Sequence, residues 1–432
     1  MKPAAEIISE SGDEVVIQVT VRKSTCFAGC EDIIQEALCE AGRLACGSCL
    51  SDFDTDGTPL LRDGRKLTAK RRKVPKTYGT RWGKVSVGRY VYQDSGGGSC
   101  LVPLEERAGI VGASTPGLAR VTSFLYANGN AGFVASALDQ ALGSSVSRCY
   151  VQDVSGLVAG DIEEAAADAS RPGADDHLWD GGPPPQEVAA VAVGIDGTCL
   201  LMCEGGYRQV MVGTIALYDA AGDRIDTRYV AAAPEEGRGT FLDRMDGDID
   251  RTRRLYPDAR YVGVTDGARD FRPWLEEHTT TQVLDFWHVA EHLGAASHAL
   301  GLGEEGRAAW MADTCHELKH GHGAAARILA ELDAVDEATV PAAHLEALRS
   351  TRTYLRGNLD RTNYASYRKS HIPIGSGVTE AACKTLVKTR MCGSGMRWRE
   401  RGADTVLVLR SLAAGGTAWD AYWRRRAAAA GR

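Results

Sequence analysis

The 432-residue chain holds no stretch approaching the roughly 20 consecutive apolar residues that a membrane helix needs. Met1 to Glu10 lacks the basic-then-apolar pattern of a secretion signal and carries Glu6 and Glu10 instead. Export is therefore not expected, and a cytoplasmic location is. No internal repeat is visible. Twelve cysteines are present, but without a signal pattern they read as reduced thiols or metal ligands rather than disulfides. With 44% hydrophobic and 25% charged residues, the composition is that of a soluble globular protein. The length suggests about three domains as a soft prior.

A net charge of −7 speaks weakly against a nucleic-acid partner, and the distribution of charge speaks for one. Arg65 to Tyr92 contains ten basic residues and no acid. From Lys384 to the end, eleven Lys or Arg face Glu400, Asp404 and Asp420. Local positive stripes matter more for phosphate binding than the total does. Lys70, Arg71, Arg72 and Lys73 are the densest part of the first stripe. Solvated surface is the other reading of either stripe.

Residues 1–105 form a cysteine-containing basic region. Cys46-Gly-Ser-Cys49 has metal-knuckle spacing, and Val85, Val87, Tyr90 and Tyr92 suggest a two-stranded ribbon before Cys100. A zinc ribbon would need a second Cys-x-x-Cys there, and only Cys100 is present. The reading is a degenerate zinc ribbon in which Cys46, Cys49 and Cys100 hold Zn²⁺ with Cys39, Cys30 or Cys26, or no zinc at all. Residues 106–167 read as short helices. Ala131 to Val158 has the pattern helix, glycine-containing turn, helix, with Ser144 or Ser145 as N-cap of the second. That fits a DNA-binding helix-turn-helix or any small helical hairpin.

Residues 168–186, rich in Gly, Pro and Asp, read as a linker. Then "EVAAVAVGIDGTCLLM", "YRQVMVGTIALYD" and "DRIDTRYVAAA" read as strands, Thr240 to Leu255 as a helix, "ARYVGVTDG" as a fourth strand followed by a helix, and "TQVLDFW" as a fifth strand. This order predicts an α/β fold with a mixed sheet. His288 to about Ile372 turns helical and Ala-rich, and another helix follows Ser376.

The chemistry is expected at strand ends. Asp196 closes the first apolar run and Asp266 the fourth, each followed at once by Gly. A charge at that position is costly unless solvated, paired or metal-bound. Glu380 sits in the first turn of a helix, where the macrodipole favours it. Three convergent carboxylates suit two Mg²⁺ or Mn²⁺ ions, which support phosphoryl transfer when roughly 3.5–4 Å apart. Taken singly, an Asp-Gly is usually a turn and a first-turn Glu usually a cap.

Three passages carry a resemblance: "VGIDGT", "VGVTDGARDFRPWLEEHTTTQVLDFWHVAEHL" and "PIGSGVTEAACKTLVKTRMCGSGMRW". From about Glu187 to Arg401 the chain resembles the RNase H-like catalytic core of DDE transposases of bacterial insertion sequences, in the mutator-like group. The resemblance implies that Asp196, Asp266 and Glu380 are the catalytic, metal-binding triad. It implies an all-α insertion over 288–372, between core segments 187–287 and 373–432, the last with a basic tail. It also matches Asp285-Phe-Trp-His288 to an Asp-x-x-His signature, making His288 a further catalytic residue and Asp285 a secondary one. Lys384 and Lys388 follow Glu380 at four-residue spacing and are candidates for DNA phosphates, or two surface lysines; Arg390 and Arg397 extend the strip, and Trp398 is a stacking or packing aromatic. The expected activity is cleavage of transposon ends and strand transfer on double-stranded DNA, by at least a dimer when ends are paired. A catalytically silent DNA-binding protein and a nuclease of the same fold are the alternatives.

Overall fold

The computed structural model describes residues 4–169, 187–235, 237–268 and 270–430. The described residues form a mixed α/β protein, 52% helical and 21% strand. No described helix is long and apolar enough to cross a membrane. The chain divides into two compact units, residues 1–165 with 418–432, and residues 166–417. Most of the segment read as a linker, residues 170–186, lies outside the described residues.

In the first unit, a hairpin of β1 (Ala5–Ser11) and β2 (Glu14–Val19) precedes the long helix α1 (Phe27–Asp52). Strands β3 (Leu60–Arg62), β4 (Arg65–Ala69) and β7 (Tyr92–Asp94) make one small sheet. Strands β5 (Val74–Thr80) and β6 (Gly83–Arg89) make a hairpin whose Tyr78, Val85 and Val87 pack with Leu50 and Leu104. The expected ribbon is therefore present around Val85 and Val87, but Tyr92 belongs to a different sheet. Helices α2 (Pro103–Arg107), α3 (Pro116–Asn128), α4 (Ala131–Leu142) and α5 (Arg148–Ala169) follow, and the helix Ala418–Ala430 groups with this unit. Helix α4 ends at Gly143 in the left-handed region (φ +59°), a conformation that favours glycine. The backbone N–H of Tyr150 donates to Ser147 Oγ at 3.1 Å. The cap of α5 is thus Ser147, not Ser144 or Ser145, because the turn after Gly143 runs two to three residues longer than the sequence pattern suggests.

The second unit is built on a five-stranded sheet, β8 (Ala190–Leu201), β9 (Tyr207–Tyr218), β10 (Arg224–Ala232), β11 (Arg260–Thr265) and β12 (Thr281–Leu284), in the order β10-β9-β8-β11-β12. The first three strands pair antiparallel, and β11 runs parallel to both β8 and β12. Both faces are covered, which is why these strands read as near-continuous apolar runs. One face carries Val191, Val193, Ile195, Ile215 and Leu217 and packs on α6 (Gly239–Leu255) through Phe241, Met245 and Ile249, with Leu275 of α7 (Arg272–His278). The other carries Ala190, Ala192, Val262, Val264 and Val283 and packs on helices of the Ala-rich stretch. Those helices are α8 (Phe286–Ser297), α9 (Glu304–His320), α10 (Ala324–Asp333), α11 (Ala342–Arg356) and α12 (Tyr364–Lys369). They share one apolar cluster with the sheet, through Val289, Leu293, Leu318, Ile328, Leu348 and Leu355.

The chain returns to the sheet through α13 (Gly377–Ala382), which continues as a π-helical segment (Cys383–Lys388) and α14 (Thr389–Met391), and then α15 (Glu400–Ala414). Gly194 makes the close approach possible. A Cβ there would lie 2.1 Å from Thr379 Oγ1, and Thr379 instead hydrogen-bonds Thr214 at 2.7 Å in a buried pair.

Candidate functional site

The register of the parallel strands lines up three aspartates. Val264 of β11 pairs with Gly194 of β8 on one side and Val283 of β12 on the other. Two residues further along each strand stand Asp196, Asp266 and Asp285. Neighbouring strands are about 4.8 Å apart, and residues two apart share a face. Asp196 therefore shares the face that Gly194 opens to α13, while Asp266 and Asp285 directly follow the last residues of β11 and β12.

Asp196 differs from its expected setting. It is not at a strand end, because β8 runs on to Leu201 in unbroken pairing with β9, Asp196 opposite Val212. What ends near Gly194 is the pairing with β11, so Asp196 stands at a step where the sheet narrows. Its carboxylate is half-buried and tied back: Oδ1 accepts from Gly197 N–H at 2.6 Å and Oδ2 from the Cys383 thiol at 3.4 Å. Asp266 directly follows the last residue of β11. Its Oδ1 accepts from Ala268 N–H at 2.9 Å around Gly267 (φ +94°), and Tyr354 Oη donates to its carbonyl at 2.7 Å.

Asp285 is wholly buried and caps α8. Oδ1 accepts from His288 N–H at 2.8 Å, and Oδ2 accepts from Ser376 N–H. Burial pushes its carboxyl up, but the bonds from Ser376 and His288 outweigh it and hold the group below the usual carboxylate range. Ser376 also donates its hydroxyl to Glu380 Oε1 at 2.8 Å, so one serine ties the cap to the candidate catalytic glutamate. His288 Nδ1 is buried, has no hydrogen-bond partner, and lies 3.4 Å from Asp285 Oδ1 and 3.8 Å from Glu380 Oε1.

Asp196, Asp266, His288 and Glu380 line one cleft of about 670 Å³, together with Glu291, Ser376, Cys383, Lys384 and Lys388. Among the described residues, the one group of acidic, histidine or cysteine side chains close enough to share an ion is Asp285, His288 and Glu380, with ligand atoms within 4.8 Å of one another. The expected carboxylate trio thus lines one cleft without forming the tightest group, since Asp196 is bound by Gly197 and Cys383 and Asp266 by the turn that follows it. Hard carboxylate oxygens and one unpartnered imidazole nitrogen fit a divalent cation.

Sequence reasoning missed Glu291, one helical turn after His288, and Ser376 and Cys383, whose roles depend on the sheet's register. His292 stacks on Tyr354 with ring centroids 4.0 Å apart. Arg390 is corrected as a DNA contact. It is 5% exposed, with its guanidinium 5.4 Å from the Trp398 ring centre. Trp398 is half-buried and donates Nε1–H to Met391 O at 2.8 Å, so it packs rather than offering a stacking face. Lys384, Lys388 and Arg397 are exposed.

The possible zinc site gains no support. Cys46 and Cys49 lie within α1, so no knuckle turn forms, and among the described residues no cysteine cluster gathers Cys46, Cys49 and Cys100 into a metal site. Lys70, Arg71 and Arg72 are exposed between β4 and β5, whereas Lys73 pairs at 2.9 Å with Asp54, whose side chain is buried.

No protein-family model matches this chain, and no curated protein matches it.

Asp285→Asn is expected to destabilise the fold by about 1–3 kcal/mol, because an amide cannot accept from both His288 and Ser376. The native carboxyl is depressed, so its stabilisation is complete above the unfolded carboxylate range and fades as pH falls through the folded value. Denaturant unfolding of both proteins across pH should show the difference shrinking on acidification; a constant difference would exclude the ionised cap.

Proposed function

We propose that the chain is a metal-dependent DNA transposase with an RNase H-like core, and that Asp196, Asp266 and Glu380 hold two Mg²⁺ or Mn²⁺ ions. The observation that carries this reading is that Asp196 and Asp266, at neighbouring strands of the sheet, meet Glu380 in one cleft. The strand order, with three antiparallel strands and two parallel ones, supports the RNase H-like class. When bound, the ions activate an attacking hydroxyl and stabilise the leaving oxygen. Within the chain, Asp285 and Ser376 hold His288 and Glu380 in place, and His288 faces the scissile phosphate or orients Glu380. Exposed Lys384 and Lys388 take DNA phosphates beside the cleft.

In the first unit, α4 and α5 are the helix-turn-helix candidate, and Lys70, Arg71 and Arg72 neutralise phosphates. Arg71→Ala with Arg72→Ala should lower the slope of log K against log salt by up to about 2, since each phosphate contact contributes about 0.9. An unchanged slope would remove these arginines from the interface.

The purified chain, given Mn²⁺ or Mg²⁺ and the DNA flanking its own reading frame, should nick element ends and join pre-cut 3′-hydroxyl ends to target DNA. Cleavage without joining would favour a nuclease of the same fold. Binding without either reaction would favour a silent DNA-binding protein.

A further inference from the structure

The helix that brings Glu380 to the cleft also brings a thiol to Asp196. Thr379 is seated over Gly194, where the missing Cβ admits it. Four residues on is Cys383, a rise of about 6 Å along a helix. Two residues on from Gly194 is Asp196, about 6.6 Å along a strand. Thr379 at Gly194 and Cys383 at Asp196 are thus two contacts of one continuous helical segment with one strand. The thiol is 4% exposed and donates to Asp196 Oδ2 at 3.4 Å. The other oxygen is taken by Gly197 N–H. Both oxygens of Asp196 are therefore directed, one from its own strand and one from the helix that carries Glu380. A thiol is a weak donor, and a longer one than a hydroxyl, so it orients the carboxylate at modest energetic cost to a competing ligand.

We propose that Cys383 is a positioning residue that sets the orientation of the Asp196 carboxylate and thereby tunes cation affinity in the cleft. The cation part rests on the metal-binding reading above; the hydrogen bond does not. Outer partners of ligating groups change metal affinity by about 10- to 100-fold when removed.

Two measurements on the full chain test it. In metal-free protein, the Cys383 S–H stretching band is assigned in the infrared by its loss in Cys383→Ser. Asp196→Asn should shift that band; an unmoved band overturns the hydrogen bond whatever the protein's function. Mn²⁺ binding by calorimetry should weaken about tenfold or more in Cys383→Ala, with unfolding midpoints recorded to separate misfolding. Cys383→Ser, which keeps a donor, should recover most of the affinity, and Cys383→Ala should add nothing to Asp196→Asn. Equal Mn²⁺ affinity in wild type and Cys383→Ala overturns the positioning role. Absence of Mn²⁺ binding by the wild type overturns the cation part together with the functional reading, while the infrared result still decides the bond.

Discussion

On the proposed transposase reading, Asp196→Asn is expected to lower strand cleavage by about a thousand-fold and to leave DNA binding intact. The substitution keeps shape and removes the charge that a hard cation requires. Loss of about 4 kcal/mol of transition-state stabilisation corresponds to that factor, at about 1.36 kcal/mol per decade. The fold should survive, because Asp196 sits within an unbroken β8–β9 pairing and an amide oxygen can still accept from Gly197 N–H. Single-turnover cleavage at saturating Mn²⁺, beside gel-shift affinity for the same DNA, measures both halves. Cleavage within tenfold of wild type would reject Asp196 as a metal ligand.

Gly194→Ala is expected to cost roughly 2–5 kcal/mol of stability. The added Cβ would lie 2.1 Å from Thr379 Oγ1 and 3.1 Å from Thr214 Oγ1. Overpacking of a filled core costs about 1–3 kcal/mol, and stranding a buried hydroxyl adds a similar amount. Backbone conformation is not the cause, since Gly194 is absent from the positive-φ positions. Thr379→Ala removes the obstructing hydroxyl, so Gly194→Ala with Thr379→Ala should be less destabilised than the sum of the single changes. Denaturant unfolding of the four proteins tests the coupling; strict additivity would mean that α13 is not seated on Gly194.

The sheet was legible because its strands are apolar, branched and separated by turns; all five lie within the segments read as strands, but β12 stops at Leu284 and the Phe-Trp read with it opens α8. The position of Asp196 within its strand was not, because Asp-Gly is a turn signal that long-range pairing with β9 overrides. The Asp285 cap could be read from Asp-x-x-His at a strand-to-helix junction. Its second partner, Ser376, is 91 residues away and only the assembled sheet brings it there. The burial of Arg390 was likewise invisible, since a run of basic residues carries no sign of which one turns under Trp398. The cysteine spacing misled because Cys-x-x-Cys is also one turn of a helix, and α1 uses it so.

The step in the sheet at Asp196 has a cost apart from chemistry. Beyond Gly194, β8 keeps β9 on one side, and among the described residues no strand of the sheet pairs with its other edge. An open edge of this kind invites pairing between copies and aggregation. The chain guards it with its own later residues: Cys392 Sγ donates to Cys199 O at 3.8 Å, Trp398 N–H to Leu201 O at 3.1 Å, and Cys203 N–H to Trp398 O at 2.7 Å. The stretch from Cys392 to Trp398 thus covers this edge, and without it the backbone of β8 beyond Gly194 would be left unpaired beside the cleft.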